Sequence, residues 1–205
     1  MASASAQSCR DVEALRRAVS AGAKAKFVFF WGHKRPRDGS VSSSCFSQWY
    51  ASPFLSGDVR YPTAEHFMMA EKARLFSDRD AEKRILAAGS PGAAKAIGRE
   101  VRGFAEEVWF QHRFEIAVQG NREKFSQNPH LASFLKGTAK RVLVEASPVD
   151  RIWGIGLEAD DPHSTNPHQW RGLNLLGFAL MEVRSQLAAG EQDEMRRPAS
   201  CGAVP

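Results

Sequence analysis

Two groups of residues have the types and spacing to do chemistry. In YPTAEHFMMAEKA, Glu65 and Lys72 stand seven apart. At 3.6 residues per turn this puts both on nearly one helix face, ~10.5 Å apart along the axis. Met68 and Met69 lie between them. A carboxylate and an amine flanked by flexible apolar side chains can project into one cavity, the lysine leaning back toward the helix N-terminus. The local alternative is that Glu65 serves the positive helix end and Lys72 snorkels to water. The second group is Ser147-Pro-Val-Asp150-Arg-Ile-Trp153-Gly154-Ile-Gly156, directly after a predicted strand. Glycines there let a backbone and an indole approach a ligand closely, while Asp150 is either an active-site acid or a turn cap. Gly172, Asn174 and Gly177 open a last helix, where free N–H groups suit a phosphate or hydroxyl and Asn174 is a ligand contact or a cap.

Other chemistries lack their signatures. The six histidines include no H-E-x-x-H and no pair four apart on a predicted helix, so no metal is expected. There is no phosphate-binding G-x-x-x-x-G-K-[ST], no dinucleotide fingerprint after a strand and no G-x-S-x-G elbow, and no cofactor is expected.

The elements that must position these residues are legible from their ends. Tyr61-Pro62-Thr63 opens a helix running to about Leu75: the Thr63 hydroxyl can accept an orphan N–H, and the Glu65 carboxylate faces the positive end. A second helix begins at Asp78 and stops at Gly89; a third has Ser90 as cap and Pro91 at its first position, ending near Gly98. Glu106 to Ser126 is the longest helical stretch, with Phe110, Phe114, Ala117, Val118, Asn121 and Phe125 on one broad face, and its phenylalanines and Trp109 read as core. A short helix through Leu131 and Leu135 ends at Gly137. Lys26 to Trp31 (KFVFFW) and Arg141 to Ala146 (RVLVEA) read as two short strands. Near the start, Val12, Leu15 and Val19 mark a short helix ending at Gly22; at the far end, Leu176, Leu180, Val183 and Leu187 form the buried stripe of the last. Between Trp153 and Trp170 runs a long loop. The expected architecture is mainly α with a small β component, in one compact domain. Residues 1–25 are expected to form a tail and short helix, 26–188 the functional domain, and 189–205 a flexible tail.

Composition narrows the function classes. The 205 residues carry 28 Lys+Arg against 23 Asp+Glu, a formal net charge of +5. That excess is spread as +3 over residues 1–26, +3 over 27–190 and −1 over 191–205, so there is no polybasic arm. No run approaches the ~20 apolar residues a membrane span needs, and residues 1–26 lack a signal-peptide core. No membrane partner is expected. Cys9, Cys45 and Cys201 form no C-x-x-C pair and support neither a disulfide framework nor a zinc knuckle, which reads as cytoplasmic.

The series FSQWYASPF, YPTAEHFMMAEKA, AGSPGAAKAIGR, KFSQNPHL, VEASPVDRIWGIGL and GLNLLGFALMEVR resembles the NADAR family, whose bacterial members are YbiA-like N-glycosidases, over Phe27 to Leu187. The resemblance implies a compact YbiA-like helical fold and hydrolysis of an N-glycosidic bond linking a ribose phosphate to a nitrogenous group. Members have been assigned early riboflavin-pathway intermediates with ribosylamino-pyrimidine leaving groups, and others remove ADP-ribose from guanine bases. Carried over by position, Glu65 and Lys72 fall in the family's central helix motif, and Asp150, Trp153 with Gly154, and Asn174 in its later motifs. Gln48 and Met69 depart from the pattern, standing where many members carry Asn and Gln.

These residue types suit that reaction. Breaking a C1′–N bond builds positive charge on the ribose, which a carboxylate can stabilise, or a carboxylate can activate water; Glu65 or Asp150 fits either task. The departing nitrogen needs a proton. Lys72, desolvated, could instead attack C1′ of a ring-opened sugar and form a Schiff base. Trp153 and Trp49 are candidates to stack on the base and Arg99 to hold the phosphate, each with a structural alternative. A non-catalytic nucleotide or ADP-ribose binding module would need Trp153 and Asn174 but neither Glu65 nor Lys72. Residues 66–103 carry +3 and 148–190 carry −2. That asymmetry suits a small phosphorylated ribosyl substrate, with ADP-ribosylated nucleic acid as the other candidate partner.

Overall fold

The computed structural model describes residues 5–196, with side chains through Glu191. The chain runs α1 (Val12–Ser20), β1 (Phe27–Phe30), β2 (Phe54–Ser56), β3 (Val59–Tyr61), α2 (Ala64–Leu75), α3 (Arg79–Leu86), α4 (Pro91–Arg99), α5 (Glu106–Ser126), α6 (Pro129–Gly137), β4 (Val142–Glu145) and α7 (Leu175–Arg196). Among the described residues the architecture is mainly α with a small β component, as the sequence implies.

The caps are those the residue types call for. Thr63 Oγ1 accepts from the His66 backbone N–H at 3.4 Å, Asp78 Oδ1 from Ala81 at 3.2 Å, and Ser90 Oγ from Ala93 at 3.2 Å. The helix from Thr63 lies at the centre, packed against α3, α4 and α5. Every residue from Ala64 to Ala70 is buried, which is why this helix has no amphipathic stripe.

β1 and β4 pair in parallel with Phe27 opposite Val142 and Phe30 opposite Glu145. This small sheet is flanked by α7 and anchors one hydrophobic cluster; a second forms around Phe54, Tyr61, Phe67 and Ile85. Trp153 packs against both. The β2–β3 hairpin, turning at Gly57 with φ +57°, has strands of three residues, too short for the alternation that signals a strand.

Val12, Leu15 and Ala18 of α1 are buried in the first cluster, so the short helix expected near the start docks on the domain. α7 continues to Arg196, so the expected tail at 189–205 begins within a helix; 1–4 and 197–205 of the two expected tails lie outside the described residues. Phe110 is 63% exposed, because α5 contributes Ala117, Val118, Asn121 and Phe125 to the interior, and of residues 106–112 only Trp109 is partly buried, against the second cluster.

Candidate active site

Glu65 sits in the first turn of α2, its backbone N–H donating to the Gln48 carbonyl at 3.0 Å. Its side chain is only 2% exposed, and Oε1 has no hydrogen-bond partner. Burial pushes the carboxyl up to about 7. The positive charge of Lys95, a hydrogen bond from the Trp49 indole and the charge of Arg99 oppose that shift, and the Asp150 carboxylate adds to it. A carboxyl near pH 7 can hold a proton and release it in neutral solution, as a general acid must.

Trp49, Lys95 and Asp150, which act on Glu65, line one cavity, although Glu65 itself is not among its lining residues. This cavity, of about 390 Å³, lies beyond the carboxyl ends of β1 and β4 and is lined by Trp31 and His33 after β1, Trp49 from the aromatic loop, Lys95 from α4, and Glu145 and Asp150 at and after β4. Asp150 Oδ1 accepts the Ile152 and Trp153 backbone N–H groups at 2.9 and 2.8 Å. The cap reading is met, since one carboxylate oxygen ties the turn, and the residue also lines the cavity. Gly154 is required by close packing, since a Cβ there would lie 2.8 Å from the Glu145 carbonyl oxygen.

The two aromatic candidates separate. Trp49 stands in the cavity wall with the His33 ring 5.5 Å away and Lys95 Nζ 6.0 Å from its ring. Trp153 is partly buried between the two hydrophobic clusters and is not among the residues lining this cavity. Arg99, exposed in the last turn of α4, reaches the site through its charge on Glu65.

Lys72 is desolvated as expected, and burial lowers its pKa. Its amine, however, donates to the Gly98 carbonyl at 2.8 Å and lies 4.2 Å from the centre of the Phe104 ring, outside the lining of the Asp150 cavity. Neither Lys72 nor Glu65 is among the residues lining that cavity. Asn174 is likewise committed: it is fully buried, its Oδ1 accepts the Glu145 N–H at 3.0 Å and its Nδ2 donates to the Leu143 carbonyl at 2.9 Å. Its place beside the site comes through β4, not through ligand contact. Gly154 also acts through packing.

The two departures from the family pattern are structural. Gln48 is buried, its Oε1 accepting from Asn121 Nδ2 at 3.1 Å, and Met69 fills the space above Gly98, where a Cβ would meet its Sδ at 2.2 Å.

Sequence reasoning missed Glu145 and Lys95. Glu145 ends an apolar strand and offers no motif of its own; the signal was a charged residue at the carboxyl end of a buried strand. Lys95 is one cation in an alanine-rich helix, and its signal was spacing: it falls one turn before Arg99. Among the described residues, no group of three or more His, Cys, Asp or Glu side chains is disposed to hold a metal.

Residues 29–188, most of the chain and all of the residues just described, match the NADAR domain model. The chain belongs to the NADAR family. Among NADAR relatives, it is 42% identical over 166 residues to the N-glycosidase R617 of Acanthamoeba polyphaga mimivirus, covering 78% of this chain and 96% of that protein. It is 38% identical over 143 residues to the chloroplastic riboflavin biosynthesis protein PYRR of Zea mays, covering 66% of this chain but 21% of that longer protein. The NMR structure of the Escherichia coli protein YbiA superposes with a TM-score of 0.64 at 26% identity, covering 87% of this chain and 93% of that one.

Proposed function

We propose that this NADAR chain is an N-glycosidase cleaving the C1′–N bond between a ribose phosphate and a nitrogenous group, with ribosylamino-pyrimidines of the early riboflavin pathway as its substrate class. The observation that carries the reading is Glu65: a buried carboxyl, one oxygen without a partner, poised near neutrality and acted on by Trp49, Lys95 and Asp150, three residues that line one cavity. A module that only bound nucleotides would gain nothing from burying such a group, since an unpaired buried polar atom costs about 1–3 kcal/mol. The name of the viral relative, N-glycosidase, supports the bond type, and that of the maize relative, riboflavin biosynthesis, supports the pathway.

In this reading the electron pair of the C1′–N bond passes to nitrogen as Glu65 donates its proton there, so that a neutral amine leaves. Asp150 faces the positive charge developing on the ribose and takes a proton from the water that attacks C1′. Lys95 neutralises the substrate phosphate, and Trp49 offers an aromatic face to the ring. Because the Lys72 amine is held by Gly98, attack by water is favoured over a Schiff base at that lysine.

A second reading, removal of ADP-ribose from guanine bases, draws on the rim. Trp31 is 59% exposed there, and the exposed Lys34, Arg35 and Arg37 follow directly, a basic margin suited to a larger phosphate-bearing substrate. Incubating the purified protein with a ribosylamino-pyrimidine phosphate and with an ADP-ribosylated guanine oligonucleotide, side by side, separates the two. Release of pyrimidine alone supports the first reading, release of ADP-ribose alone the second.

A further inference from the structure

We propose that the cleft between the N-terminal end of α1, the first half of α5 and the start of α7 is a second ligand site, which takes an aromatic monoanion through Arg113. The cleft shares no lining residue with the Asp150 cavity, and the inference does not depend on the N-glycosidase reading.

Arg113 lines this cleft and is only 7% exposed. Among the described residues its guanidinium has neither a hydrogen bond nor an ion pair; burial is the main influence on it, and the charge of Glu106 acts in the opposite sense. The contact it does make is with the face of Phe110, whose ring centre lies 4.6 Å from Cζ. A ring face attracts the charge but cannot match the five N–H groups of the guanidinium fork. Burying a charge that the fold leaves unpaired is costly, and an anion from solution recovers that cost.

The neighbouring charges are already engaged. Arg10 pairs with Glu182 at 3.4 Å and Glu115 at 3.8 Å, and Glu13 pairs with Arg16 at 2.6 Å. Asp11 Oδ1 accepts the Ala14 N–H at 2.7 Å. One guanidinium is left over, which matches one negative charge; Asp11 and Glu13, which also line the cleft, disfavour a second.

The body of the ligand is set by the remaining walls. Val12, Phe110, Phe114, Leu173 and Leu175 line a space of about 360 Å³, the scale of a one- or two-ring molecule. Phe110 and Leu173 are exposed, so a ring seated there covers apolar surface that folding leaves in water. The wall is formed in advance: the Leu173 and Leu175 N–H groups donate to the Arg151 and Ile152 carbonyls at 2.9 and 3.2 Å. A carboxylate on a flat aromatic body meets both demands, its two oxygens on the guanidinium fork and its ring against the phenylalanines.

Calorimetric titration of the full chain with 2-naphthoate tests the site, with 2-naphthalenemethanol as the neutral isostere and inorganic phosphate as an anion without an apolar body. The site predicts one molecule of 2-naphthoate bound, about tenfold or more tightly than either comparison compound. Arg113→Met, which keeps the bulk of the side chain and removes the charge, should weaken 2-naphthoate by about tenfold or more and leave the alcohol unchanged. Phe110→Ser, at an exposed position, should weaken both naphthalene compounds. Absence of 2-naphthoate binding, equal binding of the alcohol, or unchanged binding in either variant overturns the proposal. Phosphate held as tightly as 2-naphthoate also overturns it, because the apolar walls would then contribute nothing. The comparison of acid with alcohol uses the wild-type chain alone, so it decides the role of charge even if Arg113→Met does not fold.

Discussion

Asn174 holds Glu145 in place as if it were one more strand of the sheet. Its amide oxygen accepts the Glu145 N–H and its amide nitrogen donates to the Leu143 carbonyl, two backbone groups on the β4 edge that no neighbouring strand reaches. Asn174 has φ +55°, a left-handed conformation that Asn tolerates better than most residues, and a Cβ on Gly177 would lie 2.1 Å from the Leu143 oxygen. The GLNLLG motif is thus a clamp on the acidic end of β4. Asn174→Ala should lose about 1–3 kcal/mol of unfolding free energy, since two buried backbone groups lose their partners. Urea denaturation of the variant measures this; an unchanged midpoint would contradict the clamp.

Glu65→Gln should trade activity for stability. The folded-state pKa of Glu65, about 7, lies above its ordinary value of 4.5, so the folded state holds the proton more tightly than the unfolded chain. The stability this contributes is complete below about pH 4.5 and is lost as pH rises through 7. The glutamine variant carries no such loss. Relative to wild type it should therefore gain on the order of 3 kcal/mol between pH 4.5 and pH 8, readable as a rise in the relative Tm, while kcat falls roughly 100-fold or more.

Lys124 gives a stability trend of the opposite sign. Its amine is fully buried on α5, donating to the Cys45 and Ser47 carbonyls at 2.7 and 2.9 Å, and burial lowers its pKa from 10.5 to about 7. The unfolded chain binds this proton more readily, so Lys124 opposes folding fully below pH 7 and progressively less as pH rises toward 10.5. The expected slope is about 1.4 kcal/mol of added stability per pH unit in that window. In Lys124→Met that rise should flatten in a series of thermal melts at pH 7 to 10. Because Cys45 and Ser47 lead into Trp49, the same variant should also weaken substrate binding.

Trp49 and Lys95 should move the acid upward when removed. Both favour the charged form of Glu65, the first by hydrogen bonding and the second by charge. Trp49→Phe keeps the ring but not the donor, and Lys95→Met removes the cation. Each should shift the alkaline limb of kcat/KM to higher pH, and Lys95→Met should also raise KM for a phosphorylated substrate roughly tenfold. Limbs that move downward would place these groups elsewhere.

Water attack predicts turnover without a covalent adduct. Borohydride added during the reaction, followed by peptide mapping, should find Lys72 unmodified, because its amine is spent on the α4 backbone. A reduced ribosyl adduct at Lys72 would move the nucleophile there.

The helices around the site were legible because their ends are chemical events: Thr63, Asp78 and Ser90 cap with their own side chains, and each start follows from a residue type. Glu65 was found because it shares a helix turn with such a cap, and Asp150 because glycines surround it. Lys72 was misplaced relative to Glu65 because helix periodicity gives a face but not the neighbour on it; α4 supplies the Gly98 carbonyl that captures the amine. Glu145 stayed hidden for a related reason. Its place at the cavity is set by a parallel pairing of Phe27–Phe30 with Val142–Glu145, more than a hundred residues away, and no local pattern encodes that register.

The most direct test of the central claim follows release of the free amine or base from a ribosylamino-pyrimidine phosphate at pH 7, by wild type and by Glu65→Gln under identical conditions. The account predicts cleavage by the wild-type protein and a loss of about two orders of magnitude or more in the variant, with the fold intact by circular dichroism. Cleavage by the variant at the wild-type rate would contradict it, because the proton for the leaving nitrogen would then come from somewhere other than Glu65.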